Sequence, residues 1–231
     1  MSGKKIGGAG LRGQSAGETS ICTVGVSGSG LTYRGYDVVD LAENTTFEEV
    51  AYLLLKGKLP NSQELKAYIE KLKTLRGLQP ELRTALEGIP KTSHPMDVLR
   101  TGCSVLGNLE QEEGFINQTD HADRMLSAFP SILSYWYQYS HYGKRIDTET
   151  DDDTIGGHFL HLLHGKKPSE LFKQVMSVSL ILYAEHEFNA STFSARVCAS
   201  TLSDIHSSVT SAIGTLRGPL HGGANEAASA M

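Results

Sequence analysis

The sequence predicts an all-α fold: a multi-helix domain with one short β-hairpin near its N-terminus. Three observations predict it. Apolar residues recur at helical spacing over most of residues 46–216, caps and Gly/Pro stops bound those stretches, and short strand-like segments occur only around one Ser-Gly turn.

The hairpin comes first, as Ile21-Cys-Thr-Val-Gly and Gly30-Leu-Thr-Tyr-Arg-Gly-Tyr36 flank Ser27-Gly-Ser-Gly30. Thr46-Phe-Glu-Glu49 is a capping box, followed by Phe47, Val50, Ala51 and Leu54 and stopped by Gly57 and Pro60. Asn61 caps a second helix with Leu65, Ile69 and Leu72 on one stripe, ending at Arg76-Gly77. Ser93 and Pro95 open a third, with Val98, Leu99, Val105 and Leu106 inward. Met125, Phe129, Ile132, Leu133 and Trp136 mark a long fourth, kinked at Pro130. Asp151-Asp-Asp153 opens a fifth, where carboxylates suit the positive end of the helix dipole. Ser169 begins a sixth through Leu171, Val175, Val178 and Leu182. A seventh, carrying Ile205, Val209, Ala212, Ile213 and Leu216, stops at Arg217-Gly-Pro219.

At 231 residues the chain exceeds the usual domain size of about 100–150 residues. With 39% hydrophobic residues, 20% charged and a net charge of −5, it offers no electrostatic case for nucleic acid or an anionic membrane. Cys22, Cys103 and Cys198 are widely spaced and lack a CxxC pair, which argues against a disulfide framework or thiolate zinc site and suits a reducing cytoplasm. The N-terminus reads as neither signal nor transit peptide, and no window approaches the ~18 apolar residues of a membrane span.

Some motifs mislead. Gly8-Ala-Gly-Leu-Arg-Gly13 satisfies GxGxxG, but Met1 to Gly7 cannot supply the strand that a dinucleotide fold places before it. Gly13-Gln-Ser-Ala-Gly17 matches a hydrolase nucleophile elbow without the α/β pattern around it. His158, His161 and His164 repeat every three residues, so two of them could meet a metal. The alternative reading has Phe159, Leu160, Leu162 and Leu163 burying that helix while the histidines lie on its polar margin. Glu185-His-Glu187 begins like HExxH, but Ala190 stands where the second histidine belongs.

Two polar segments interrupt the helical pattern: Tyr183-Ala-Glu-His-Glu-Phe-Asn-Ala-Ser-Thr-Phe-Ser-Ala-Arg196 and Arg217-Gly-Pro-Leu-His-Gly-Gly-Ala-Asn-Glu226. In the second, Gly218 and Pro219 stop one helix, and Gly222-Gly223 let a ligand approach the backbone beside His221. Arg196 and Arg217 suit anionic ligands, and each could equally pair with a nearby carboxylate.

Both segments resemble the citrate synthase family, in which a Gly-Pro-Leu-His-Gly-x-Ala-Asn pattern carries a catalytic histidine and a His-Glu-x-Asn-Ala-Ser pattern a histidine that binds oxaloacetate. The resemblance extends through Tyr33-Arg-Gly-Tyr-Asp37, Gly57-Lys-Leu-Pro60, Ser93-His-Pro-Met-Asp-Val-Leu-Arg-Thr-Gly102 and Asp151-Asp-Asp-Thr-Ile-Gly-Gly-His-Phe-Leu160. It implies that His221 is catalytic and that His186 binds oxaloacetate with Asn189 lining the pocket. Gly7-Gly-Ala-Gly-Leu-Arg-Gly13 looks like the family's N-terminal loop, which makes Arg12 a contact for the CoA phosphates.

The wider blocks look more like the 2-methylcitrate synthase branch, which implies condensation of propionyl-CoA with oxaloacetate in propionate catabolism. Acetyl-CoA as in ordinary citrate synthases is the alternative, and a non-enzymatic helical dimerisation module is another. The acyl-CoA is a substrate, so no separate cofactor and no metal are expected. A cytoplasmic homodimer is expected. Residues 1–220 are expected to form the family's large domain and residues 221–231 the start of its small one. A second catalytic histidine, the aspartate base and most substrate-clamping arginines of the family fall past residue 231, so residues 1–231 alone are expected to lack activity.

Overall fold

Cys22 and Tyr33 face each other at the start of the fold, where β1 (Cys22–Val24) runs antiparallel to β2 (Leu31–Tyr33). The structure is a computed structural model that describes residues 16–25, 30–114 and 116–223. A third strand, β3 (Tyr36–Asp37), pairs with the other side of β2, so the expected hairpin is a three-stranded sheet. Arg34 and Gly35 join β2 to β3 with φ of 50° and 91°. A two-residue turn with both residues in the left-handed region is the tightest way to reverse strands, and the arginine disguised it in the sequence.

Ten helices follow among the described residues: α1 (Val38–Asn44), α2 (Phe47–Lys56), α3 (Ser62–Thr74), α4 (Pro80–Glu87), α5 (Pro95–Leu109), α6 (Gln118–Tyr142), α7 (Ile155–His164), α8 (Glu170–Leu182), α9 (Ala190–Ala199) and α10 (Ile205–Leu216). The expected capping box of α2 is present, with Glu49 Oε2 accepting from Thr46 N at 2.7 Å, and Gly57 ends the helix at φ 85°. Asn61 caps α3 by accepting from Gln63 N and Glu64 N. His94, not Ser93, caps α5. The long α6 runs unbroken through Pro130.

Three helices escaped the sequence pattern. The short α1 and α4 offer only two buried apolar positions each, Val38 and Leu41 in one and Leu82 and Leu86 in the other. The third, α9, has no buried residue at all, so no apolar stripe announced it.

The core has two clusters. One joins α4, α5, α6 and α10 around Leu86, Leu106, Ile132, Trp136 and Ile213. The other packs the sheet, α1, α2 and α3 against the start of α7 and end of α8, through Tyr33, Leu53, Leu72, Ile155 and Ile181.

Three sequence expectations change here. His158 lies in the core, wholly buried, with Ser131 Oγ 3.0 Å from Nε2 and Thr150 Oγ1 3.0 Å from Nδ1. Its partners come from α6 and the 150 loop, which no helical periodicity could show. The aspartates before α7 do not serve its dipole. Asp151 pairs with Lys167, Asp152 with His161 and Asp153 with Lys73, while Glu48 of α2 accepts from Ile155 N at 2.7 Å. The apolar positions read along α8 largely point outward: Leu171, Val175 and Leu182 are exposed, and Ile181 is the residue of this helix that is fully buried.

Candidate functional site

The two polar segments meet. The first breaks the chain between α8 and α9: Tyr183 caps α8, and Asn189 starts α9 by accepting from Thr192 N at 2.9 Å. Asn189 Oδ1 also accepts from the Ser191 hydroxyl at 2.7 Å. Ser191 Oγ lies 3.0 Å from His221 Nε2, across thirty residues of sequence.

His221 is half-buried in the turn after α10, where its N–H donates to Gly218 O at 3.0 Å. Helical backbone resumes at Gly222. Glycine is required there because a Cβ would run into the Leu216 carbonyl oxygen. The Gly-Gly pair thus fixes the tight path that presents His221.

The hydrogen bonds limit what each group can offer. Asn189 Oδ1 is taken up by two donors, which fixes the amide orientation and leaves its Nδ2 hydrogens for a ligand. Ser191 has one hydroxyl proton. With that proton on Asn189, Ser191 Oγ can only accept from His221 Nε2–H, and Nδ1 carries a lone pair. When the hydroxyl turns to donate to Nε2, the imidazole proton moves to Nδ1, where the ring can donate to a ligand oxygen.

His186 is exposed in the same loop, three residues before Asn189. Of the two candidate arginines, Arg196 stacks over the Phe188 ring at 4.7 Å and Arg217 Nε lies 3.4 Å from Asp97 Oδ2. The pairing alternative therefore holds for Arg217. Arg12, with the GxGxxG and elbow-like motifs that begin before residue 16, lies outside the described residues, as do residues 224–231.

Sequence reasoning missed Ser191, whose only signal was its place inside the His-Glu-x-Asn-Ala-Ser pattern. The three-histidine metal reading does not hold together either. His158 is bound within the core, and the metal-capable group among the described residues is Asp151, Asp152 and His161, in which His161 Nδ1 already meets Asp152 at 2.6 Å.

Residues 10–231 match the family described as "Citrate synthase, C-terminal domain". The chain belongs to the citrate synthase family. It is 73% identical over 225 residues to the 2-methylcitrate synthase of Shewanella oneidensis, covering 97% of this chain and 60% of that protein. It is 41% identical over 226 residues to 2-methylcitrate synthase 1 of Corynebacterium glutamicum, covering 94% and 59%. Among solved structures, citrate synthase of Thermoplasma acidophilum is matched at a TM-score of 0.88 and 30% identity, over 95% of this chain and 58% of that one. That structure is described as a complex with carboxymethyl coenzyme A and oxaloacetate. Citrate synthase of Thermotoga maritima gives a TM-score of 0.81 at 38% identity, over 94% and 57%. The chain thus spans about three fifths of the length of these relatives. The all-α fold expected from the sequence is the fold of this family.

Proposed function

We propose that the protein carrying this chain is a 2-methylcitrate synthase, condensing propionyl-CoA with oxaloacetate and hydrolysing the thioester to release CoA. The observation that carries the reading is the 73% identity to the Shewanella oneidensis enzyme across 97% of this chain. Acetyl-CoA is the second reading, favoured by the citrate synthase of Heyndrickxia coagulans at 38% identity over 96% of the chain.

In this reading His221 donates a hydrogen bond or proton to the thioester oxygen, so that negative charge developing on the enolate is stabilised. Ser191 is its positioning residue, holding the ring by Nε2 and setting which nitrogen bears the proton. His186 orients oxaloacetate, the Asn189 amide offers its N–H groups to a substrate oxygen, and Arg12 meets the CoA phosphates. Residues 1–220 form the large domain, with His221 where the small one begins.

The protein works in this reading as a cytoplasmic homodimer. Two features support the dimer: α9 buries none of its residues within one chain, and Val197 on it is half exposed. Three free cysteines suit a reducing compartment, and no helix among the described residues is long and apolar enough to cross a membrane.

The test is CoA release from propionyl-CoA and acetyl-CoA with oxaloacetate, using the longest product its reading frame encodes beside the 231-residue chain. Propionyl-CoA should give the higher kcat/KM, and a clear acetyl-CoA preference overturns the narrower name. In the active form, Ser191→Ala should lower kcat about tenfold, as loss of one hydrogen bond to the reacting histidine implies.

A further inference from the structure

The three-stranded sheet is fastened to the loop that carries His186. Tyr33 is wholly buried, and its hydroxyl donates to Ile181 O at 2.8 Å while accepting from Glu185 N at 3.3 Å. One phenol thereby spans the break from the last turn of α8 to the residue before His186. On the other flank, Glu187 Oε1 accepts from Val24 N of β1 at 3.0 Å. Tyr33 lies on β2 and Val24 on β1, which are paired strands, so the sheet grips both sides of His186.

The geometry of the loop makes that grip necessary. Glu187 sits at φ 54°, in the left-handed region that a side chain of its kind adopts only when its surroundings hold it there. His186 itself is exposed, so packing around its ring does not fix its direction. Its placement is inherited from the two residues beside it.

We propose that the N-terminal sheet is the positioning device for His186, with Tyr33 and Glu187 as positioning residues for oxaloacetate binding. This rests on the reading that His186 binds oxaloacetate. Phe188 adds a further tie, since its ring lies against Gly17, where a Cβ would stand 3.3 Å from it, and beneath Arg196. The loop is thus held from the N-terminal side over four consecutive residues, 185–188.

Three variants test the proposal: Tyr33→Phe, Glu187→Ala and Glu187→Gln. In the active protein, Tyr33→Phe and Glu187→Ala should each raise KM for oxaloacetate about five- to tenfold, as loss of one or two hydrogen bonds implies, while KM for the acyl-CoA and kcat stay near the parent's. Glu187→Gln should restore the parent KM, because its amide oxygen still accepts from Val24 N. Hydrogen exchange of the 185–187 amides should quicken in Tyr33→Phe and Glu187→Ala and not in Glu187→Gln. Folded variants with parent-like oxaloacetate KM and exchange overturn the proposal. If the parent turns over no oxaloacetate, the functional reading fails, and the exchange measurement still decides whether the sheet holds the loop. Should Tyr33→Phe not fold, the Glu187 pair carries the test, since its bond lies at the surface.

Discussion

Acidification acts strongly on His158. Its ordinary value of 6.5 is pushed down to about 3, first by burial and then by the nearby Arg76 guanidinium, so the folded protein holds it neutral. The hydrogen bonds agree with a neutral ring. Thr150 Oγ1 already accepts from Arg76 Nη1, so its own proton goes to His158 Nδ1, and Nε2–H donates to Ser131. A histidine depressed in this way keeps its full stabilising contribution above the unfolded value and loses it as pH falls below that value. Between pH 7 and about 5 the unfolded chain becomes almost fully protonated at this residue while the folded chain stays neutral, a loss of about 2 kcal/mol, since each pH unit costs up to about 1.4 kcal/mol. His206, also lowered by burial, adds a loss of the same sign. The comparison that isolates His158 is therefore with His158→Gln, which retains a hydrogen-bonding amide and cannot ionise. Urea unfolding at pH 7 and about pH 5 should show the parent losing about 2 kcal/mol more than the variant. Equal losses in the two proteins would refute the argument.

Glycine and glutamate positions yield two more tests. A Cβ on Gly107 of α5 would stand 2.6 Å from His206 Cβ, and His206 is too buried to move aside. Gly107→Ala should therefore lower the melting temperature, although alanine in an open helix gains about 1 kcal/mol; a variant as stable as the parent would show that α10 yields freely. Burial raises the Glu48 carboxyl above its usual range, even though Ile155 N donates to it. A raised carboxyl contributes stability that is lost as pH rises through its folded value, so Glu48→Gln should compare better with the parent at pH 8 than at pH 5. Chemical denaturation at the two pH values checks it, and a difference of the opposite sign would mean that Arg76 outweighs burial.

What the sequence could show was whatever a residue does with its near neighbours. Thr46 and Glu49 cap a helix three residues apart, and Asn61 does the same with Glu64, so both helix starts were legible. Glu48 looked like one more acidic residue in that first turn, yet it reaches across to α7, 107 residues away. His158 was misread for the same reason, its two partners lying 27 and 8 residues off on other elements. Hydrophobic periodicity failed differently in α8. The apolar stripe is real, but periodicity says only that one face is apolar, not that this chain covers it. The proposed site residues were singled out through family resemblance alone, because single histidines carry no signal of their own. The Ser191 link was not, since a hydrogen bond across thirty residues leaves no local spacing to read.

Subtracting the bonds that the fold itself uses narrows the chemistry of the proposed site. Asn189 spends its oxygen on capping α9 and on Ser191, so it can only donate to a ligand, which suits a carboxylate or ketone oxygen and excludes a role as base. His221 spends Nε2 on Ser191, so its chemistry passes through Nδ1. Whether Nδ1 gives or takes a proton then depends on one hydroxyl rotor, and that rotor has a ready alternative, because Asn189 Oδ1 retains the Thr192 N–H when Ser191 turns away. A ligand oxygen at Nδ1 favours the turned state, since only there does the ring present a proton to it. In the proposed function, the cap that starts α9 thereby lets a bound substrate select the donor form of His221 at the cost of one hydrogen bond, with another made in exchange.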